Sequence, residues 1–211
     1  MNFKIFDYRK DLHNLFVTPQ IRSRFLKINP GDIHDLHSHD LGHEIFFIIE
    51  GELLFYIDGS EQTVKSGQLC IAKSGEIHQV KNQTDQDVIM YLSVTPHIQP
   101  THTGRDKNGK SHSVKFLPSK VYDTCTDEDT PISELIDNFT SAVDKLAKTS
   151  SVAAHRFDHL STELKHSISR DDINNMDIVR EQMWNEIREI HVDLYKLSDL
   201  WNDLAPRSGT V

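Results

Sequence analysis

The spacing of the apolar residues changes at Pro131, and this change constrains the fold more than any other feature of the 211-residue chain. Before Pro131, short segments rich in branched and aromatic residues alternate with Gly, Asp, Asn and Ser, which is typical of β-strands joined by turns. After Pro131, apolar residues recur every three or four positions, which is typical of amphipathic helices. The sequence therefore predicts a mainly β structure with an α-helical extension, divided into residues 1–118 and 119–211.

Eight short strands are predicted in the first part. Asp58-Gly59 separates an apolar segment from a polar one, and this dipeptide tolerates the positive φ values of tight hairpins. Eight short strands with regular turn signals indicate a sandwich or a barrel. The predicted strands cover residues 21–28, 34–39, 44–49, 52–57, 62–65, 68–72, 77–81 and 88–94.

Three helical stretches are predicted in the second part, which we expect to form a helical hairpin or a three-helix segment. They cover residues 132–146, 157–168 and 179–204, and Pro131 suits a first helical turn. The spacing of the third stretch favours packing in a bundle, so a homodimer is expected. Between the two parts, the polar stretch 101–110 contains two glycines and is predicted to be a mobile loop that can serve as a lid.

The charge is distributed unevenly along the chain. Residues 1–118 carry 13 Lys and Arg against 14 Asp and Glu, whereas residues 119–211 carry 10 against 18. Such an acidic second part repels phosphate backbones, so no nucleic-acid partner is expected. The longest apolar run, Ile45 to Ile49, is far too short to span a bilayer, so no membrane partner is expected either.

The cysteines and the N-terminus bear on the compartment. Cys70 and Cys125 are too few for a disulfide framework and lack paired metal-ligand spacing, so both are interpreted as reduced. Charged residues interrupt the first eleven positions, and no secretory signal is visible there. A cytoplasmic location is therefore expected.

Histidines and one glutamate in the first part have the spacing of a metal site. His37 and His39 are two apart, so on a strand they point to the same side of the sheet. Glu44 begins the next apolar strand, and His78 lies on a separate strand. Imidazoles with one carboxylate suit a divalent transition metal, Fe, Mn, Ni, Cu or Zn, and leave coordination positions open for a substrate.

These residues resemble the two sequence motifs of the cupin superfamily. Gly31, His37, His39, Glu44 and Gly51 occupy every fixed position of the first motif. Gly67, Gly75, His78 and Asn82 fit the second, in which Lys73 replaces the usual proline. The resemblance covers about residues 20 to 95 and implies a jelly-roll β-barrel with His37, His39, Glu44 and His78 as metal ligands pointing into its mouth.

Other residues are weaker candidates for the same pocket. Arg22 and Arg24 point to one side of the first barrel strand, and if that side is inward they can clamp a substrate carboxylate; otherwise they form a solvated face. Tyr56 and Tyr91 are candidate acids or donors near the metal, with core packing as the alternative. His34 and His43 are expected near the ligands or at the surface, and a lid can contribute His97, His102 or His112.

The helical part offers one further cluster of possible ligands. His155, His159, Glu163 and His166 recur every three or four residues and share a helix face. That face lies opposite an apolar stripe, so we interpret it as solvated.

Two classes of function follow from the resemblance and the candidate ligands. The first is a metal-dependent enzyme acting on a small, oxygen-rich organic substrate, with a dioxygenase-type oxidoreductase expected and an isomerase or lyase as further options. The second is a non-catalytic metal or ligand sensor whose acidic helices contact a protein partner. The ligand set alone does not choose between them.

Overall fold

The computed structural model describes residues 3–124 and 128–208. It has two compact units, one formed by Met1–Asp127 with Ala205–Val211 and the other by Glu128–Leu204. The predicted division after residue 118 stays a prediction. Within the described ranges, no helix combines the length and the apolar character needed to cross a membrane.

The first unit contains two five-stranded antiparallel sheets. The strand order is β1-β2-β9-β4-β7 in one sheet and β10-β3-β8-β5-β6 in the other. A short 3₁₀ helix, Ser119–Tyr122, follows the last strand. The strands are β1 (Asn14–Thr18), β2 (Ile21–Ile28), β3 (His37–Ser38), β4 (His43–Glu50), β5 (Glu52–Ile57), β6 (Ser60–Lys65), β7 (Leu69–Ala72), β8 (His78–Lys81), β9 (Val88–Thr95) and β10 (Thr103–Gly104).

The core lies between the two sheets because alternate residues of each strand point inward. On β4, Glu44, Phe46 and Ile48 are buried, whereas Phe47 on the opposite face is 37% exposed. Burial of an apolar side chain of this size contributes about 1.5–3 kcal/mol. The core also contains Ile28, Leu53, Phe55, Val64, Ala72, Val80, Val88, Met90, Leu92 and Val94.

Gly51 makes the turn between β4 and β5 and is constrained in two ways. Its φ of +82° lies in the left-handed region, where a side chain is disfavoured. A Cβ at this position would lie 2.8 Å from Cγ2 of Val88. Only glycine therefore allows the turn to close against β9.

The mainly β architecture is confirmed, and three local predictions are corrected. The predicted strand 34–39 shortens to His37–Ser38, and β1 and β10 were not predicted. The stretch predicted as a mobile loop contains β10 and a turn in which the Asp106 carboxylate accepts hydrogen bonds from the backbone N–H groups of Asn108 and Lys110. Local polar contacts and pairing with β3 order this stretch, and its composition alone does not reveal them.

The second unit is a helical hairpin. The helices are α1 (Ile132–Ser169) and α2 (Ile173–Arg207), so the first two predicted helical stretches form one helix. The residues between them include several Ser and Thr but no Gly or Pro, and nothing there breaks the helix. Buried Asp193 of α2 accepts hydrogen bonds from Lys145 Nζ and Thr149 Oγ1 of α1, both at 2.6 Å.

Candidate metal centre

Four side chains from both sheets converge on one point. His37 on β3 is the register partner of His78 on β8, His39 follows β3 directly, and Glu44 reaches them from β4 in the other sheet. One ligand atom from each residue lies within 4.8 Å of all the others. His39, Glu44 and His78 are at most 2% exposed. The four predicted metal ligands are therefore brought together in the interior.

Glu44 lies at the middle of this cluster. Its Oε2 atom is 3.0 Å from Nε2 of His39 and 2.9 Å from Nε2 of His78. Nε2 of His37 is 3.9 Å from the same oxygen. Three imidazole nitrogens therefore face a single carboxylate oxygen.

Backbone carbonyls fix the orientation and tautomer of each imidazole. Nδ1 of His37 donates to the Asp35 carbonyl at 2.8 Å, and Nδ1 of His78 donates to the Glu76 carbonyl at 2.9 Å. Nδ1 of His39 donates to the Thr101 carbonyl. Because a carbonyl only accepts, each Nδ1 carries a proton, and each Nε2 is the nitrogen left to face the site.

This arrangement fits a metal cation. Lone pairs on Nε2 and on Oε2 repel one another unless a proton or a cation lies among them. Backbone acceptors that hold the distal nitrogen of each ligand are the usual support of a metal-binding histidine. Three nitrogens and one carboxylate oxygen are the donors that Fe, Mn, Ni, Cu and Zn accept.

The pKa values show how strongly the interior affects these groups. Burial raises the pKa of Glu44, but hydrogen bonds with His39 and His78 outweigh it and hold this pKa well below its ordinary value. Burial, reinforced by His78, lowers the pKa of His37 to about 4. The carboxylate is therefore ionised and the His37 imidazole neutral at neutral pH, as metal coordination requires.

A small cavity lies beside the ligands and shares part of its lining with a larger one. The inner cavity has a volume of about 150 Å³ and is lined by His37, Glu44, Arg22 and Arg24, among others. The outer cavity has a volume of about 810 Å³. Five residues line both cavities: His34, His37, His102, Leu117 and Tyr122.

Two arginines face the inner cavity without full hydrogen bonding. Arg22 is 3% exposed, and its Nη2 atom lies 3.9 Å from Oε1 of Glu44. Its guanidinium stacks over the Tyr122 ring, with 5.3 Å between the guanidinium carbon and the ring centre. Among the described residues, Nε of Arg22 and Nε of Arg24 have no hydrogen-bond partner. An anion in the cavity would satisfy these buried donors.

Of the three residues predicted to act beside the metal, one lines the inner cavity and two lie on the outer faces of the sheets. Arg24 lines the inner cavity. Tyr56 alternates with buried Phe55 on β5 and therefore points away from the core. Tyr91 alternates with Met90 and Leu92 on β9 and packs edge-on against Phe25, with ring centres 6.1 Å apart. Strand alternation therefore places both rings on outer faces, and the catalytic roles predicted for Tyr56 and Tyr91 stay predictions.

The segment after β9 contributes residues that the motifs did not specify. The His102 ring centre lies 4.9 Å from that of His37 and 4.7 Å from that of His39. His97 is buried, and its Nδ1 is 3.0 Å from the hydroxyl of Thr101. Among the three lid histidines considered, His102 is adjacent to the ligands, while His112 lines only the outer cavity. Tyr122 had no signal in the sequence, because its position depends on the 3₁₀ helix that folds back over Arg22.

His34, His43, His159 and Cys70 take no part in the four-residue cluster. His34 lines both cavities, and His43 Nδ1 accepts from the Ser74 backbone N–H at 2.8 Å. On α1, His159 is exposed and lies 3.7 Å from Glu163. Within the described ranges, the His37 cluster is the group that gathers three or more metal-ligand side chains. Burial, together with the charge of Glu44, raises the pKa of free Cys70 to about 12; Cys125 lies outside the described residues.

Comparisons with known proteins find similarity in the β part of the chain. Residues 24–95 match the family model described as a cupin domain. The oxalate-binding protein of Thermotoga maritima is 35% identical over 63 residues, which are 30% of this chain and 52% of that protein. The chain therefore spans about half the length of this curated relative.

Solved structures are also similar to this part of the chain. A double-stranded β-helix protein from Klebsiella pneumoniae is 21% identical, with a TM-score of 0.42, and the match covers 46% of this chain and 92% of that one. An oxalate oxidase is 24% identical, with a TM-score of 0.34, and the match covers 36% of this chain and 42% of that one.

Proposed function

Since residues 24–95 match the cupin domain model, we propose that the protein is a metal-dependent enzyme acting on a small organic carboxylate, with dioxygenase-type oxidation as its reaction. The observation that carries the proposal is the convergence of three Nε2 atoms and the Glu44 carboxylate beside a cavity lined by two incompletely bonded arginines.

His37, His39, Glu44 and His78 would hold the metal. When bound, such an ion supplies Lewis acidity or electron transfer. The chain itself supplies the orientation: the carbonyls of Asp35, Glu76 and Thr101 keep each imidazole turned toward the site.

Arg22 and Arg24 would bind and orient the substrate carboxylate. Burial lowers the pKa of both guanidiniums, and for Arg22 the nearby Glu44 carboxylate opposes this effect. Both remain charged, because an arginine is not deprotonated in a protein. Two buried positive charges favour an anion, and a volume on the order of five water molecules restricts it to a small one. The name of the Thermotoga maritima relative, an oxalate-binding protein, agrees with this choice of ligand.

The chain's own residues would also limit access of water to the inner cavity. His34, His102, Leu117 and Tyr122 lie on the wall that the inner cavity shares with the outer one. Burial holds the pKa of His102 well below its ordinary value. This imidazole is therefore neutral at neutral pH and adds no positive charge beside the metal ligands.

A non-catalytic binding protein is the second candidate. The Thermotoga maritima relative is named for binding, without a reaction. Such a protein would use the same ligands and arginines but would release its carboxylate unchanged.

The first experiment separates the two candidates. Protein purified without a histidine tag is analysed for metal and then assayed for oxygen consumption and product formation with oxalate and other small organic acids. Metal-dependent turnover that is lost in His78→Ala and retained in His159→Ala supports the enzyme. Metal-dependent binding of the acid without turnover supports the binding protein, and failure to bind any transition metal contradicts both.

A second experiment tests the carboxylate site. Arg22→Met and Arg24→Met are each expected to weaken oxalate binding at least about 10-fold, because each removes a charge-assisted hydrogen bond worth about 1.5–3 kcal/mol. Lys27→Met on the same strand is the matched control, since Lys27 is exposed and pairs with Asp87. Calorimetry on metal-loaded protein measures all three, and equal affinities would refute the arginine clamp.

A further inference from the structure

One side of the helical hairpin carries an apolar surface that the hairpin itself leaves partly exposed. On α1, eleven positions spaced by threes and fours form one row: Ile132, Ile136, Phe139, Val143, Leu146, Ser150, Ala154, Phe157, Ser161, Leu164 and Ile168. None of these positions is charged. Ile136 is 47% exposed and Val143 is 41% exposed. We call this row of positions the α1 stripe.

Helix α2 carries a corresponding row on the same side of the hairpin. Its eight positions are spaced by fours and threes: Met176, Arg180, Met183, Ile187, Ile190, Leu194, Leu197 and Trp201. Trp201 contacts Phe139 of the α1 stripe, with ring centres 5.5 Å apart. Ile187 and Leu194 of this row are 38% and 43% exposed. We call this row the α2 stripe.

The opposite side of the hairpin carries ion pairs between the two helices. There, Lys145 binds Asp193, and Arg156 binds Glu186. The single charged member of the α2 stripe, Arg180, is ion-paired with Asp177 of its own helix. The two helices therefore share one apolar side, so the hairpin as a whole is amphipathic.

The size of the apolar side matches a stable protein interface. Two adjacent helices of 35 or more residues, each about 10 Å wide and about 50 Å long, present a face of about 1,000 Å². A standard interface buries about 800 Å² on each partner. A two-helix layer leaves its apolar side in water, whereas two such layers close into a four-helix bundle.

We propose that this side of the hairpin packs against the same side of a second copy of the chain, forming a four-helix bundle. A two-fold interface brings a surface against itself, which requires that the surface carry no net charge of one sign. The stripes satisfy this requirement although residues 128–204 contain twice as many Asp and Glu, 16, as Lys and Arg, 8. The acidic residues lie outside the stripes and point away when two copies meet.

The oligomeric state of stripe variants tests the proposal. The 211-residue chain is expected to have twice its mass of 24.3 kDa by light scattering after size-exclusion chromatography. Val143→Glu and Leu194→Glu are expected to raise the dissociation constant about 100-fold or more, because each dimer would bury two unpaired carboxylates.

Two valines on other faces of the helices provide matched controls. Val152 lies nine residues from Val143, which is two and a half turns and thus the opposite face of α1, and it is 54% exposed. Val192 lies on the opposite face of α2 from Leu194 and is 49% exposed. Val152→Glu and Val192→Glu are expected to leave the dimer intact. Circular dichroism confirms that each variant retains its helices, and Ala154→Glu, at an exposed stripe position, replaces any variant that does not.

Several outcomes would overturn the proposal. A monomeric wild-type protein would do so, as would a dimer that the stripe and control variants dissociate equally. Ile71 on β7 is 48% exposed and represents a competing surface. A dimer that Ile71→Glu dissociates and that Val143→Glu leaves intact would place the interface on the sheet and refute the bundle.

Discussion

Replacing Glu44 by glutamine is expected to remove metal binding while leaving the metal-free fold almost unchanged. In the metal-free protein, the Glu44 oxygen faces the Nε2 atoms of His39 and His78 at 3.0 and 2.9 Å. A glutamine amide nitrogen at that position carries two protons and can donate one to each imidazole. A buried ion-paired arrangement is thereby exchanged for neutral hydrogen bonds, a change that is often close to neutral in free energy.

The expected magnitudes follow from this geometry. Glu44→Gln should change the free energy of unfolding of the metal-free protein by less than about 1 kcal/mol, whereas Glu44→Ala should lower it by about 3–5 kcal/mol because it leaves the imidazoles unpaired. A metal at 100 times its dissociation constant stabilises the wild-type protein by about 2.7 kcal/mol. If the lost ligand weakens affinity about 100-fold, the same metal concentration stabilises Glu44→Gln by only about 0.4 kcal/mol.

Thermal and urea unfolding with and without added metal measure both quantities. For a chain of this size, the wild-type metal effect corresponds to about 5–10 °C in Tm. His159→Ala is the control, since its side chain is exposed on α1. Retention of the full metal stabilisation in Glu44→Gln would show that Glu44 is not a ligand, and a metal-free destabilisation as large as that of Glu44→Ala would refute the hydrogen-bond argument.

Two further predictions concern the barrel. Gly51→Ala should lower the free energy of unfolding by about 3 kcal/mol or more, because the left-handed φ costs about 1–2 kcal/mol and the new Cβ also clashes with Val88. Gly67 has a similar φ of +80° but open space around it, so Gly67→Ala should cost only the roughly 1–2 kcal/mol of the backbone. Urea unfolding checks this, and equal losses would contradict it. Burial lowers the pKa of His37 to about 4 and that of His97 to about 3. Below about pH 6.5, the unfolded chain therefore takes up protons at these two residues while the folded chain does not. The metal-free protein should therefore have its full stability above pH 6.5 and lose stability progressively toward pH 4. Urea midpoints across this range measure how steeply stability depends on pH, and His97→Asn should make this dependence weaker. A stability that does not change with pH would contradict the burial of these imidazoles.

Strand positions and ligand identities could be predicted because they depend on local patterns. Alternation on β4 and β9 and the Asp58-Gly59 turn are properties of adjacent residues, and His37 and His39 share a side of any extended segment. The same alternation also determines that Tyr56 and Tyr91 point outward.

Features that depend on distant contacts could not be predicted. β10 is two residues long and exists because it pairs with β3 across more than sixty positions of chain. Tyr122 reaches the cavity through a 3₁₀ helix that packs over Arg22. The single helix α1 was divided in two because a polar stretch interrupts its apolar spacing, although that stretch contains no residue that ends a helix.

The sequence by itself determined a β part followed by helices and which four side chains can bind a metal, because periodicity and ligand spacing are encoded within short segments. Only the tertiary structure decided that Nε2 and not Nδ1 faces the site, since the carbonyls that hold Nδ1 come from the folded backbone. It also decided that Arg22 and Arg24 face inward, because only the pairing of β2 with β9 assigns an inside to an isolated strand.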